Sequence, residues 1–542
     1  MNKLGRKDLI IMLIITVLYG ALLFFRLGST EAPVNGYRMT ETNGNEIVLD
    51  FGSEKTVGGV NVFLGHTGVK YFNIYLSEAD SAFEKNLIQN AFAWNSVSVK
   101  GKTTSLTVQN IKGDAQIMEM VILDEKGEIL TPVNADSYPG LFDEQSLFVR
   151  QPTFMNQSMF DEIYHARTAY EFINGYDVYE VTHPHLGKSI MTLGIRAFGM
   201  TPFGWRFICA LFGTLMIPLM YLLAWQFTKN RKSTVLSTLL LCTQFMHFTL
   251  SRIGTIDVIV AFFIMLMFLF MARFVDSLGE SAKKQYLNLF LCGCASALAV
   301  ATKWTGMYAM AGVAVIFFAC LVPECLSKEW TDETNRRLLK LGGVCVVSFI
   351  IIPMAVYLLS FLPLKGKFPN LNLVQIAIKN SGYMFKYHAE NTSYHTYASR
   401  FHEWLIGTGA LLDSSNYVGD KISIVVTMGN PFIALLGLVS LVHNFVLWIK
   451  SKDISAKQLC IAYVAMLLPW MFISRSQFIY QYYVCTLILS LLIGNSAKHI
   501  KNATGKAVAV LVISAVLFVL YYPLLSGLPV PPPMFKYLLF WN

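Results

Sequence analysis

Residues Trp205–Lys232 read WRFICALFGTLMIPLMYLLAWQFTKNRK. From 205 to 227 the stretch carries one charge, Arg206, and then Lys229, Arg231 and Lys232 follow together. About 20 apolar residues in a helix span the hydrocarbon core of a bilayer. A basic cluster at one end marks the side that stays in the cytoplasm. The same pattern recurs at 9–25, 233–250, 254–274, 286–302, 305–322, 338–361, 423–449, 458–475, 478–495 and 505–525, so eleven spans are expected. An odd count puts the termini on opposite sides. With a cytoplasmic N-terminus, Lys283/Lys284, Lys328/Arg336/Arg337/Lys340, Lys450/Lys452/Lys457 and Lys498/Lys501/Lys506 all join Lys229/Arg231/Lys232 on the cytoplasmic side, as the positive-inside rule requires. The polar segments 150–204 and 362–422 then face outward. The first run follows Lys3, Arg6 and Lys7 and is expected to be a retained span, because no small-residue cleavage site follows it.

Composition agrees with a polytopic membrane protein. Of 542 residues, 54% are hydrophobic and 14% charged, against about 25% charged in soluble domains. The net charge of +9 sits in short loops between apolar runs, which argues for membrane topology and against nucleic-acid binding. The nine cysteines avoid 26–204 and 362–422. The outer segments therefore hold no disulfides, which favours a bacterial plasma membrane over an oxidising organelle.

Residues 33–133 differ in kind. NEIVLDFG, GGVNVFLGH, KYFNIYLSE, TSLTVQN and QIMEMVILDEKGEI alternate apolar and polar residues between Gly, Asn, Asp and Ser turns. That is the period of half-buried antiparallel strands. A small extracytoplasmic β-sandwich of two sheets is expected, of a kind that often binds sugars. Trp94 and Tyr71 read as core aromatics. The expected fold is thus mainly α, with about eleven transmembrane helices and an inserted β-sandwich. Its parts are a first helix at 1–27, the sandwich at 33–133, an outer loop with interfacial helices at 150–204, helices at 205–361, a second outer loop at 362–422 and C-terminal helices at 423–542.

Chemistry-bearing residues concentrate in MFDEIYHARTAYEFINGYDVYEVTHPHLGKS, residues 159–189. Asp161 and Glu162 open a helical pattern in which Phe160, Ile163, Ala166, Tyr170 and Ile173 form an apolar stripe for a membrane or protein surface. Asp161 and His165 share another face. Pro184 fixes the chain and Gly187 permits a tight turn. His183, His185 and Lys188 gather where a phosphate headgroup would lie. Arg206, Arg252, Asp257, Lys303 and Arg475 stand at outer span ends. A charge at such a depth is a functional candidate, and Arg252 with Asp257 reads as a pair on one helix end. His395 and Trp404, in the second outer loop, suit a polar pocket. His388, His395 and His402 lack zinc-ligand spacing, so no metal is expected.

The ordered set of FDEIYHARTAYEFINGYDVYEVTHPHLGK, WRFICALFGTLMIPLMY, SRIGTIDVIVAFF, LAVATKWTGMY, YHTYASRFHEW and LPWMFISRSQFIYQYY resembles the protein O-mannosyltransferase family, glycosyltransferase family 39 of the GT-C membrane fold. The resemblance runs from about residue 150 to the end. Three departures stand out. His185 replaces the family's usual second Pro, the sandwich is not a usual family part, and 362–422 is too short for the sugar-binding-like domain of eukaryotic members. The resemblance implies transfer of a sugar, mannose, from a polyprenyl-phosphate donor to a protein Ser/Thr hydroxyl outside the cytoplasm. It implies inversion and no cofactor or metal. Asp161 would be the general base and Glu162 an orienting group. Arg206 would stabilise the leaving phosphate, with Lys188, Lys303 and Arg475 beside it. His165, His183, His185, Arg252, Asp257, His395 and Trp404 would line the substrates. The partners would be the lipid-linked sugar, an acceptor protein or polymer, and membrane lipid. A related enzyme acting on a lipid or cell-wall polymer would use the same groups. A lipid-linked-sugar transporter would show repeats and helices broken at the midplane, and the sequence gives no sign of either.

Overall fold

In the computed structural model, residues 4–40, 44–66, 72–77, 83–85, 91–110, 115–327, 330–390 and 393–538 are described, and Tyr71 lies outside them. The chain divides into two compact units. One comprises 26–179 and 194–205, the other 1–25, 180–193 and 206–542.

The first unit contains the strands expected from the alternation. They are β1 (Tyr37–Met39), β2 (Glu46–Leu64), β3 (Phe72–Leu76), β4 (Phe83–Lys85), β5 (Trp94–Val97), β6 (Gly101–Asn110), β7 (Ala115–Asp124) and β8 (Ile129–Leu130). The two expected sheets are one hydrogen-bonded sheet, ordered β1-β7-β2-β6-β3-β4, with β5 on β2 and β8 on β7. The reason lies in β2, which runs through both halves. It pairs with β6 and then β5 along one side and with β7 along the other. Register shifts at Asp50/Lys55 and Val57/Gly59 bend it, as bulges do. Ile47, Leu49 and Phe51 therefore share one core with Val60, Val62, Leu106, Val108, Ile117 and Ile122. Trp94 is buried, as expected.

Glu119 is the exception on β7. Its carboxylate is fully buried, and accepts from the Met120 and Glu144 amides at 2.9 and 2.6 Å. Burial, reinforced by the nearby Asp143 and Glu144 carboxylates, pushes its pKa up to about 8 against those two hydrogen bonds. Among the described residues, Glu119, Asp143 and Glu144 are the group close enough to share a cation. His388, His395 and His402 form no such group.

The second unit is helical. Ten described helices are long and apolar enough to cross a membrane: Arg6–Phe24, Pro202–Thr228, Asp257–Asp276, Ala282–Thr302, Thr305–Leu326, Asp332–Leu359, Pro431–Ser451, Ile454–Phe472, Ile479–Lys498 and Thr504–Ser526. The run expected at 233–250 is instead two shorter helices, Arg231–Cys242 and Phe245–Leu250. They still traverse the bundle beside the first helix. Arg231 pairs with Asp8 at one end (2.6 Å), and Arg252 donates to the Leu23 and Phe25 carbonyls at the other (2.6 and 2.7 Å). The break at Thr243-Gln244 is sealed by Asn430. Its Nδ2 donates to the Thr243 carbonyl (3.0 Å), its amide to Gln244 Oε1 (3.2 Å), and its Oδ1 caps the Pro431–Ser451 helix. One crossing expected to be continuous is thus broken at Thr243-Gln244. The expected span from 423 is also corrected. Leu411–Val418 (β9) and Lys421–Thr427 (β10) form a hairpin, turning at Gly419 with φ of 61°.

The helix ends sort into two groups. The basic loops meet at one end through Lys229–Asp276, Arg337–Glu324, Lys498–Asp453 and Lys232–Thr504. The other end gathers 180–188, 252–257, 303–305, 380–388 and 470–483. This is the alternation that the charge pattern requires.

Two outcomes follow. Glu119 is protonated in the fold and ionised when unfolded, so its stabilisation is complete below about pH 4.5 and is lost as pH rises through about 8. Proteolysis of the strand region in the intact protein should accelerate over that range, and Glu119→Gln should flatten the dependence. Asn430→Leu removes a cap and leaves buried carbonyl and amide groups unsatisfied, a loss of about 2–3 kcal/mol. Thermal unfolding in detergent should show it as a clear fall in Tm.

Candidate active site

Asp161 sits at the N-cap of the Glu162–Asn174 helix, and its carbonyl accepts from the Tyr164 and His165 amides at 3.0 and 2.9 Å. The preceding Phe160 has φ of 46°, a left-handed conformation that a bulky side chain rarely adopts and that packing must hold. Glu162 is buried, and its Oε2 accepts from the Met159 amide at 2.9 Å. One oxygen of the expected orienting group therefore fastens the turn that presents Asp161. Gly175, at φ of 66°, ends the helix.

The expected apolar stripe is not the buried face. Phe160, Ile163, Tyr170 and Ile173 are half-buried, whereas Glu162, His165, Ala166, Arg167, Thr168, Ala169 and Glu171 are buried. A helix that buries its polar residues does so to place them against partners. Arg167 donates from Nε to Glu171 at 2.8 Å, and His66 Nε2 lies 3.2 Å from the same carboxylate. Sequence reading passed over both Arg167 and Glu171.

In the helical unit, Lys188 is fully buried and its three ammonium protons face three acceptors. These are Glu180 Oε2 at 2.5 Å, the Glu180 carbonyl at 3.0 Å and the His183 carbonyl at 3.3 Å. Lys188 thus orders the 180–188 loop, the loop in which a phosphate role is expected for it. Gly187 has no left-handed backbone. Its reason is space, because a Cβ would lie 2.8 Å from Thr302 and 2.9 Å from Ile256. His185, in the place of the family's Pro, is fully buried with its ring edge-on to Phe361 at 5.3 Å. Burial, and then the Lys188 charge, hold its pKa well below the usual value against the pull of Glu180. It is a neutral packing residue.

The expected Arg252–Asp257 pair does not form. Asp257 binds Lys303 at 2.7 Å, 46 residues away, and Lys303 lies 5.1 Å from the Tyr480 ring. Arg252 caps the first helix instead, where the helix dipole is negative. Trp404 is fully buried, donating to Ser399 Oγ at 2.8 Å, and forms the core of its loop. His395 is exposed and edge-on to Phe478 at 5.0 Å.

What does assemble is a centre around His388, which sequence reading did not select. His388 stacks on His183 at 5.3 Å and donates from Nε2 to the Thr182 carbonyl at 2.9 Å. Asn380, two turns earlier on the Leu373–Glu390 helix, donates to the Val181 carbonyl at 3.0 Å. Burial first, then the Arg475 and Lys303 charges, lower the His388 pKa. Arg475 and Lys303 thus each lie near His388 at this end of the bundle. Arg206 is fully buried at the start of the second turn of the Pro202–Thr228 helix.

The arrangement of spans is that of a known membrane glycosyltransferase fold. A solved S. cerevisiae protein O-mannosyltransferase complex bound to the sugar donor superposes with a TM-score of 0.61 at 12% identity, covering 71% of this chain and 89% of that one. Residues 196–364 match the dolichyl-phosphate-mannose-protein mannosyltransferase family, and 378–542 match the C-terminal four-helix region of protein O-mannosyltransferases. The chain belongs to the protein O-mannosyltransferase family. Curated relatives are the polyprenol-phosphate-mannose–protein mannosyltransferases of Mycolicibacterium smegmatis (23% identical, 70% of this chain and 86% of the relative) and Mycobacterium tuberculosis (22%, 69% and 84%).

Because Lys303 and Asp257 are both nearly buried, removing one leaves an uncompensated charge worth about 3–5 kcal/mol. Lys303→Met and Asp257→Leu should each lower Tm sharply. The double variant should recover most of the loss, which a thermal-unfolding cycle would read.

Proposed function

We propose that this protein transfers mannose from a polyprenyl-phosphate donor to a Ser or Thr hydroxyl of a protein acceptor, outside the cytoplasm. The observation that carries this reading is family membership across both matched segments, together with relatives named for that activity. The sidedness rests on the sorting of basic loops to one end of the bundle.

Asp161 is the general base. A hydroxyl is a far weaker acid than a carboxyl of ordinary pKa about 3.9, so the proton moves late, as the oxygen attacks the anomeric carbon. Phe160's constrained backbone and the Glu162 tie to Met159 support a carboxylate held in one orientation. The bond from the anomeric carbon to the phosphate oxygen breaks on the opposite face, so the product is inverted. The leaving lipid phosphate gains negative charge, and Arg206 is assigned its stabilisation. Its position at the start of the second helical turn, near the positive end of the helix dipole, adds to the field of the guanidinium. Such a group contributes about 3–4 kcal/mol to the transition state. Arg475 is a second cation for the same phosphate. With the phosphate neutralised by side chains, the reaction proceeds without a metal or cofactor.

Purified protein given polyprenyl-phosphate-mannose and Thr-containing peptides should form mannosyl-peptide. Asp161→Asn should lower kcat by about 10²–10⁴-fold, and Arg206→Ala by about 10²–10³-fold. Wild-type turnover in both variants would remove these assignments. Transfer to lipid alone would move the acceptor class.

A further inference from the structure

Tyr164 and Tyr179 are 38% and 45% exposed, yet neither is loosely held. Their rings are parallel within 3°, with centroids 6.2 Å apart. The Arg167 guanidinium lies over the Tyr179 ring at 4.0 Å. Glu171, fully buried, accepts from Arg167 Nε with one oxygen and from the Tyr179 amide with the other, both at 2.8 Å. His66, at the end of β2, reaches the same carboxylate at 3.2 Å and stacks on Tyr176 at 4.6 Å. Phe92 adds an edge-on contact to Tyr170 at 5.1 Å. The exposed ring pair is thus fixed from beneath by a buried ion pair and anchored to the strand region. Tyr164 is also bonded through its amide to the Asp161 carbonyl at 3.0 Å, one helical turn from that carboxylate.

We propose that Tyr164 and Tyr179 form the subsite for the acceptor polypeptide, and that the strand region serves catalysis by holding this platform through His66 and Glu171. The proposal rests on the reading of Asp161 as the base. In an inverting displacement the acceptor approaches on the side of the base and the lipid phosphate departs on the other, so groups adjoining Asp161 meet the acceptor. The exposed parts of two parallel tyrosine rings suit the flat apolar surfaces of an extended chain, above all a proline ring beside the target hydroxyl. A tyrosine that merely anchors the protein in the interface needs no buried Glu–Arg clamp beneath it, since desolvating such a pair is costly.

The test uses the full-length protein in lipid nanodiscs, with polyprenyl-phosphate-mannose and synthetic peptides whose Thr is flanked by Pro or by Ala. Tyr164→Ala and Tyr179→Ala should raise KM for peptide about tenfold, the size of one aromatic contact. They should erase the preference for the Pro-flanked peptide and leave KM for the donor unchanged. Tyr164→Phe and Tyr179→Phe, which keep the rings, should behave as wild type. An unchanged peptide KM overturns the proposal, as does an equal rise in donor KM or a loss confined to reconstitution into lipid. A wild-type protein that mannosylates lipid but no peptide removes the parent reading as well, and the wild-type control separates that failure from the others.

Discussion

A bilayer interior offers no water to a peptide group or a charge, so each must find its partner within the protein. The helical unit is organised by that constraint. The broken helix alongside Arg6–Phe24 exists because Asn430 completes the hydrogen bonds of the break and caps a third helix with the same side chain. Asp8 and Arg231 tie the two helices at one end, and Arg252 closes the open carbonyls of the first helix at the other. Lys303 reaches Asp257 from another helix end for the same reason. These bonds contribute to stability, but their larger effect is on register. An apolar helix can slide against its neighbours, and a helix with a buried ion pair has one position.

The same logic separates charges that are free for chemistry from those that build. Lys188 carries the obvious charge in the HPHLGK run, yet its ammonium group bonds to Glu180 and the His183 carbonyl. Its work is to shape the loop that carries His183 against His388. The Glu162–Asn174 helix shows the complement. It buries Glu162, Arg167 and Glu171 while its large apolar residues are only half-buried, and so becomes a rigid mount for the Asp161 turn. The strand region belongs to the same compact unit as this helix. The sheet is therefore part of what holds the turn.

Legibility in the sequence tracked the range of the interaction involved. The long spans were readable because lipid demands an unbroken apolar run, and the strand period of 33–133 because a half-buried sheet alternates. The span expected from 423 takes in most of the second strand of the hairpin at 411–427 because SIVV suits a buried strand and a membrane helix alike. Its Gly419-Asp420 turn was the available signal. Arg252 and Asp257 lie one turn and a half apart and invited pairing, but each has a partner distant in sequence. Asn380 and His388 lie in none of the quoted motifs, and only the packing of the Leu373–Glu390 helix against the 180–188 loop brings them to His183.

By itself the sequence determined the class of the protein and the alternation of its loops, since hydrophobic run length, charge placement and motif order are local or additive along the chain. Tertiary structure decided which charges are paired, that one crossing is broken, that the two expected sheets are one, and that Gly187 and His185 answer to packing. Those outcomes depend on which surfaces meet in three dimensions. A side chain's burial and its partner are properties of that meeting, and no window of sequence contains them.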